Sequence, residues 1–382
     1  MRTKIIFGLL LLVMTGLGCY VALRLSQPSF KTPPIVHDYD NYDYGRGDAA
    51  KVIDVGTQPF GLLSTNLCEH LLRDRILQQH LAAEGWQLRE HGYRSGKDML
   101  AYADGRLDIM LLGDIPAFSA MQQRNVGIFA LNRQGYNSVI VSRRLTPAEF
   151  KGLRVGYPAG TSAHFTLEQA LESANLTMND IAPVALQANE MESALRSRSV
   201  DAVAIWEPMI TTILDTVPGS TIFFSSETYN YTTVDLDFAT RHPSQLKAFL
   251  AASIRAAHWD RLEEENLRTA LLWIRQANLR FSGASDVEAN TKWTNLLRRE
   301  TIDTPSFPML PHNLRDEHGL QRQQFEFLKR NGILPTNADW SKVRERIDTA
   351  LLPEIIRDGE KWRINSFDYA PDRLYQDKEA SR

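Results

Sequence analysis

The residues of this 382-residue chain that could do chemistry gather at a few corners. At one of them, Gly156-Tyr157-Pro158-Ala159-Gly160-Thr161-Ser162-Ala163-His164 sets two hydroxyls and an imidazole where an apolar run ends and helical spacing begins. Leu153 to Tyr157 reads as a strand, and Leu167, Ala170, Leu171 and Ala174 recur as one helix face. Gly160 permits the sharp turn and Thr161 or Ser162 caps the helix, whose first free N–H groups lie at the positive end of its dipole. Such a turn can hold an anion; read on its own, it is equally an ordinary capped helix start. His164 stands one turn in, either as an oxyanion donor or as a satisfied structural histidine.

Other polar residues stand at comparable corners. Gln58 follows the apolar run Val52-Ile53-Asp54-Val55, and its amide both donates and accepts. Gly113-Asp114 and Trp206-Glu207 each end a near-continuous apolar run. Trp206 can wall a pocket or fill core. If Asp114 faces a crevice, it repels a simple anion and welcomes an ammonium group; otherwise it caps the helix after Pro116. No nucleophile is paired with a base, and no His, Cys and carboxylate set has metal-ligand spacing. The sequence therefore names no catalytic residue, no metal ligand and no cofactor.

The elements that must position these corners form a repeat. Asp108-Ile109-Met110-Leu111-Leu112-Gly113-Asp114 and Asp201-Ala202-Val203-Ala204-Ile205-Trp206-Glu207 each follow a helical pattern, and each precedes a proline, Pro116 or Pro208. Runs apolar on both faces belong in parallel sheets covered by helices, which predicts two α/β lobes, one starting near Val52 and one near Leu153. Ligands of such sheets gather at the carboxyl ends of the strands, so Gln58, Gly113-Asp114, the Gly160–His164 turn and Trp206 are expected to share a crevice. Tyr136-Asn137 and Tyr229-Asn230-Tyr231 fall where the chain crosses between lobes, as hinges or as loop packing. Beyond Ser244 the pattern is helical, with helices expected over 244–257, 264–276, 286–298, 317–331 and 340–356.

Composition narrows the classes of function. A 43% hydrophobic, 23% charged chain of net charge -3 is ordinary globular material with no basic stripe for nucleic acid. Basic Met1-Arg2-Thr3-Lys4 precedes an uncharged run from Ile5 to Leu23, long enough to span a bilayer. That run reads as an uncleaved anchor, a lipoprotein signal ending at Gly16-Leu17-Gly18-Cys19, or a cleaved signal; each places the body outside the inner membrane. Outside that segment Cys68 is the lone cysteine, expected as a buried thiol. The expected organisation is 1–25 anchor or signal, 26–50 an Asp/Tyr-rich tether, 51–136 the first part of lobe 1 and 137–231 lobe 2. Residues 232–363 return to lobe 1 and form a helical tail, and 364–382 are a C-terminal tail.

Gly152 to His164, Val200-Asp201-Ala202-Val203-Ala204-Ile205-Trp206-Glu207-Pro208-Met209 and Val234 to Pro243 resemble the solute-binding proteins of ABC importers for sulfonates, taurine, nitrate and thiamine precursors. The resemblance implies the periplasmic-binding-protein-like type II fold, two α/β lobes with a hinge and a helical C-terminal tail. It implies a small sulfonate-type anion, taurine or an alkanesulfonate, in an interlobe cleft, with an ABC permease and ATPase as partners. Together with the strand-end rule and the two lobe crossings, it gives expected ligand contacts from Gln58, Gly113, Asp114, Tyr136, Gly160, Thr161, Ser162, His164, Trp206, Glu207, Tyr229 and Asn230. Two other functions are compatible with that fold: a membrane-anchored ligand sensor and a pyrimidine-precursor enzyme.

Overall fold

Two long strands carry the architecture, and everything else is hung on them. The computed structural model describes residues 39, 42–44 and 51–374; the expected anchor at 1–25 lies outside the described residues. No helix among the described residues is long and apolar enough to cross a membrane.

The first apolar run forms β1 (Val52–Thr57), followed by helices α1 (Leu62–Arg73) and α2 (Arg75–Ala83) and strand β2 (Gln87–Gly92). Helix α3 (Gly96–Ala103), β3 (Ile109–Gly113) and α4 (Asp114–Gln123) complete this part. The chain then crosses on β4 (Val126–Val141). The second half repeats the plan with β5 (Arg154–Tyr157), α5 (Ser162–Ser173), β6 (Ala182–Ala185), α6 (Met191–Arg196), β7 (Ala202–Trp206) and α7 (Met209–Thr216). Strand β8 (Thr221–Asp235) leads back.

All eight strands form one sheet in the order β2-β1-β3-β8-β4-β7-β5-β6. β1, β2 and β3 are parallel, as are β5, β6 and β7, which is the doubled pattern expected from the repeat. β4 and β8 run antiparallel to each other from Val126↔Asp235 to Val141↔Thr221. One end of β8 pairs with β3 and the far end of β4 pairs with β7, so this pair spans both halves.

Burial explains the unbroken apolar runs. Ile53 and Val55 pack with Leu71 and Phe249 on one side of β1, and Gly56 lies against Met99 and Leu107 on the other. Such fully buried aliphatic side chains each stabilise the fold by roughly 1.5–3 kcal/mol. Cys68 is buried in the same core, and burial pushes its thiol well above the usual range.

Beyond β8 the chain is helical: α8 (Leu236–Arg241), α9 (Pro243–Leu262), α10 (Glu264–Ser282), α11 (Thr291–Asp303), α12 (Leu320–Arg330), α13 (Trp340–Glu345) and α14 (Leu351–Arg357). Helix boundaries differ from the sequence expectation in several places, with α9 running on to Leu262 and α10 to Ser282 beyond the expected 257 and 276. The first helix starts at Leu62 and breaks at Asp74, whose carboxylate accepts the N–H groups of Ile76 and Leu77 and so starts a second helix. The helix expected over 286–298 starts at Thr291, where Asn290 accepts the Trp293 N–H. The single helix expected over 340–356 is two, because Ile347 bridges to Ile128 on β4 between them.

Tyr39, Tyr42 and Tyr44, within the stretch expected as a tether, pack against the first half of the protein. Tyr39 and Tyr44 are buried, the Tyr44 ring stacks on His91, and the Tyr44 and Tyr93 hydroxyls are hydrogen-bonded. At the other end, Tyr369 to Leu374 lie along α1, with Ala370 and Leu374 N–H groups donating to the carbonyls of Arg73 and Leu72.

Candidate functional site

The carboxyl ends of β1, β3, β5 and β7 open into one cavity of about 410 Å³, walled on its remaining side by the two crossing strands. Nine of the twelve expected site residues line it: Gln58, Gly113, Gly160, Thr161, Ser162, Trp206, Glu207, Tyr229 and Asn230. The convergence follows from topology, since both halves present their strand ends to the same crevice.

Each corner is held by local chemistry. After β1, the Gln58 amide donates to the Leu111 carbonyl at 3.0 Å, while the hydroxyls of Ser64 and Thr65 donate back to the Gln58 carbonyl. After β5, Gly160 adopts φ +79°, a conformation that favours glycine, and sits beside Ile333. Thr161 is the N-cap of α5: its hydroxyl accepts the His164 N–H and donates to the Pro158 carbonyl at 2.7 Å. Its proton is therefore committed, and Thr161 is a cap where the resemblance implied an anion donor. Ser162 and Ala163 occupy the first turn, where backbone N–H groups have no intrahelical acceptor.

Three expected site residues do not line the cavity. Asp114 is fully buried and accepts from the Ile115 N–H at 2.8 Å, the Thr228 hydroxyl at 3.2 Å, the Tyr229 N–H at 3.3 Å and the Gln324 amide at 2.5 Å. It clasps the start of α4 to β8 and α12; burial pushes its carboxyl up, and those four donors oppose the shift. An ammonium group in the crevice would not reach it. His164 is buried against Tyr157 and Phe327, accepts the Gly160 N–H on Nδ1 at 3.3 Å, and faces Glu168 with Nε2 at 3.7 Å. Burial lowers its pKa against the pull of Glu168, so it is a neutral brace of the turn. Tyr136 is 47% exposed on the outer face of β4.

The strand period accounts for Tyr136 and brings two further residues to the cavity. Successive residues of a strand point to opposite faces, so if Tyr136 points out then Asn137 and Arg133 point in. Both line the cavity. Asn137 is 1% exposed and neither its amide nitrogen nor its oxygen has a hydrogen-bond partner among the described residues. The Arg133 guanidinium is ion-paired with Glu300 through Nε, while its buried Nη2 has no partner among the described residues. The spacing was legible in the sequence: Arg133 and Asn137 lie four apart, an even number that puts them on one face of a strand.

Glu207 is buried at the end of β7. It accepts the Thr211 N–H and hydroxyl, both at 3.0 Å, and is ion-paired with Arg299 of α11. Its charge is thereby matched and does not set the sign of the cavity. The Tyr229 hydroxyl donates to Glu227 at 2.7 Å, and burial raises its pKa. Asn230 accepts from the Asn132 amide at 3.0 Å. The remaining wall is mainly apolar, with Leu62, Leu63, Leu100, Ile115, Pro116 and Ile333, and also carries Ser64, Ser95, Lys97, Ser119, Gln123 and Thr228.

Residues 110–275 match the sequence model of the NMT1-like family. The taurine-binding periplasmic protein of Escherichia coli is 27% identical over 167 residues, 41% of this chain and 52% of that protein. Curated relatives are matched over between 20% and 57% of their own length. Among solved structures, the periplasmic aliphatic sulphonate binding protein SsuA of E. coli superposes with a TM-score of 0.60 at 19% identity, covering 77% of this chain and 91% of that one. The desulfurization enzyme DSZB superposes at 0.55 and 12% identity, covering 81% and 99%. The chain thus resembles the solute-binding proteins of sulfonate-type ABC importers, and its fold is the type II periplasmic-binding-protein-like arrangement.

Proposed function

We propose that this protein is an extracytoplasmic solute-binding protein of an ABC importer, holding a small sulfonate-type anion in the cavity between its halves and presenting the closed form to a permease and ATPase. One observation carries the reading: the strand ends of both halves and both crossing strands enclose a single cavity that contains unpartnered hydrogen-bond donors. Contacts to both halves make closure depend on the ligand, as a solute carrier requires. The Ser162 hydroxyl and the first-turn N–H groups of α5 supply one set of donors for the oxyanion. His164 adds no donor to the oxyanion, because its ring accepts the Gly160 N–H on Nδ1 and faces Glu168 with Nε2.

The test is thermal unfolding of the protein against taurine, alkanesulfonates, nitrate, sulfate and bicarbonate. A ligand at about 100 times its dissociation constant adds roughly 2.7 kcal/mol to stability. A rise confined to sulfonates is the expected outcome, and no rise with any of them counts against the reading.

A further inference from the structure

The unpartnered atoms on β4 go further than the class of protein. Arg133, Gly135 and Asn137 share one face of the strand. A Cβ built on Gly135 would meet Arg133 Nη2 at 2.6 Å and the guanidinium carbon at 2.8 Å, so the guanidinium lies folded over Gly135 along the strand, toward Asn137. Its Nε is held by Glu300, which leaves Nη2 as the donor without a partner. Two residues beyond Gly135 on the same strand face is Asn137, whose amide is buried and also without a partner among the described residues. An unpaired polar group buried in this way is destabilising, and a bound oxyanion relieves that cost.

The space around that pair is not the size of a simple anion. At about 410 Å³ it falls within the roughly 300–1,000 Å³ of pockets that hold organic ligands, more room than a simple anion such as nitrate or sulfate needs. Away from β4 the wall is mainly apolar, with Leu62, Leu63, Leu100, Ile115 and Ile333, and carries Ser64, Ser95, Lys97, Ser119 and Gln123 among them.

Resting on the solute-binding reading, we infer that Arg133 Nη2 and the Asn137 amide form an oxyanion seat on the crossing strand, and that the ligand is an organic anion with a bulky apolar body. The Asn137 oxygen takes a donor from the ligand or from water beside it. Gly135 is the positioning residue, since any side chain there displaces the guanidinium from the seat.

Titration calorimetry of the protein with taurine, nitrate, octane-1-sulfonate and naphthalene-2-sulfonate tests this. The apolar sulfonates are expected to bind at least tenfold more tightly than taurine. Arg133→Gln alone strands the buried Glu300, so the neutral double variant Arg133→Gln with Glu300→Gln is used; it is expected to weaken naphthalene-2-sulfonate by ten- to a hundredfold while still unfolding cooperatively. Gly135→Ala, with both partners intact, is expected to weaken it severalfold. Taurine or nitrate binding as tightly as the apolar sulfonates, or affinity unchanged in both variants, overturns the seat and leaves the solute-binding reading standing. No binding by any of the four overturns both.

Discussion

The Asp108 carboxylate accepts the backbone N–H of Asp54 at 2.8 Å, and in the second half Asp201 accepts the backbone N–H of Arg154 at 3.0 Å. The return bonds match, Asp108 N–H to the Asp54 carbonyl at 3.0 Å and Asp201 N–H to the Arg154 carbonyl at 2.8 Å. The same clasp therefore fixes the third strand of each half against the first. It gives the sequence repeat its physical reason: an aspartate at that position ties the entry of a buried strand to its neighbour.

The two copies differ in surroundings, and that difference can be measured. Burial pushes the Asp108 carboxyl up to about 7, with the Asp54 charge adding to the shift and the Asp54 N–H opposing it. Asp201 is held below its usual range by the Arg154 side chain. A carboxyl raised by folding contributes stability that is fully present below its unfolded value near 4 and is lost as pH rises through about 7. Asp108→Asn keeps an acceptor for the Asp54 N–H and removes that loss. Urea unfolding should show the variant gaining roughly 1–2 kcal/mol on the wild type between pH 5 and pH 8. Parallel pH curves for the two proteins would reject the assignment.

Much of this was legible in the chain. The repeat around Asp108 and Asp201 predicts two α/β halves, and the strand-end rule gathers Gln58, Gly113, Gly160 and Trp206 at one cavity. Residue type alone could not separate Asp114 from a ligand contact, because its acceptors are used by Gln324, which stands 210 positions away on α12. His164 was ambiguous for the same reason, its partners being a backbone N–H and a carboxylate one turn on. At the crossing Tyr136-Asn137 the sequence favours the wrong neighbour as the contact, because the register of β4, set by its pairing with β8, decides which one points inward.

Thr161 and Ser162 are adjacent hydroxyls with separable roles. Thr161→Ala removes the cap of α5 and should cost about 1 kcal/mol of stability. Ser162→Ala should leave the unfolding midpoint close to wild type while weakening sulfonate binding severalfold. Thermal unfolding and calorimetry on the same two variants check this; a stability loss on Ser162→Ala larger than on Thr161→Ala would reverse the roles.

Arg373, near the described C-terminal end, closes a buried charge cluster. It is paired with Glu69, which also takes Arg73 and Arg280, and with Glu90 at 2.7 Å. Arg373→Gln leaves Glu90 with the Thr57 hydroxyl at 2.7 Å and puts two buried carboxylates nearer to repulsion. Breaking a buried pair costs about 3–5 kcal/mol when no other partner remains, so about 2–3 kcal/mol is expected here. Chemical unfolding measures it, and a change below about 0.5 kcal/mol would make the C-terminal segment a passive cover.

The last prediction concerns closure. Lys292 on α11 meets Asp215 on α7 at 2.7 Å, Arg299 on α11 is paired with Glu207, and Arg330 at the end of α12 meets Glu168 on α5 at 3.2 Å. Helix α11 packs on α1 and α10, and α12 packs on α4, so all three cations ride on the first half and all three carboxylates on the second. Each pair is partly exposed and is worth about 0.5 kcal/mol, too little to matter singly. Replacing all three cations by Gln removes about 1.4 kcal/mol from the closed arrangement, a tenfold shift toward the open one. Small-angle scattering of the ligand-free triple variant should therefore give a larger radius of gyration than wild type. Salt at 1 M should move the wild type the same way, because exposed pairs are screened over about 3 Å there. Identical scattering from variant and wild type at both salt concentrations would mean that β4, β8 and the apolar contact of Phe327 with Phe165 hold the halves without help from charge.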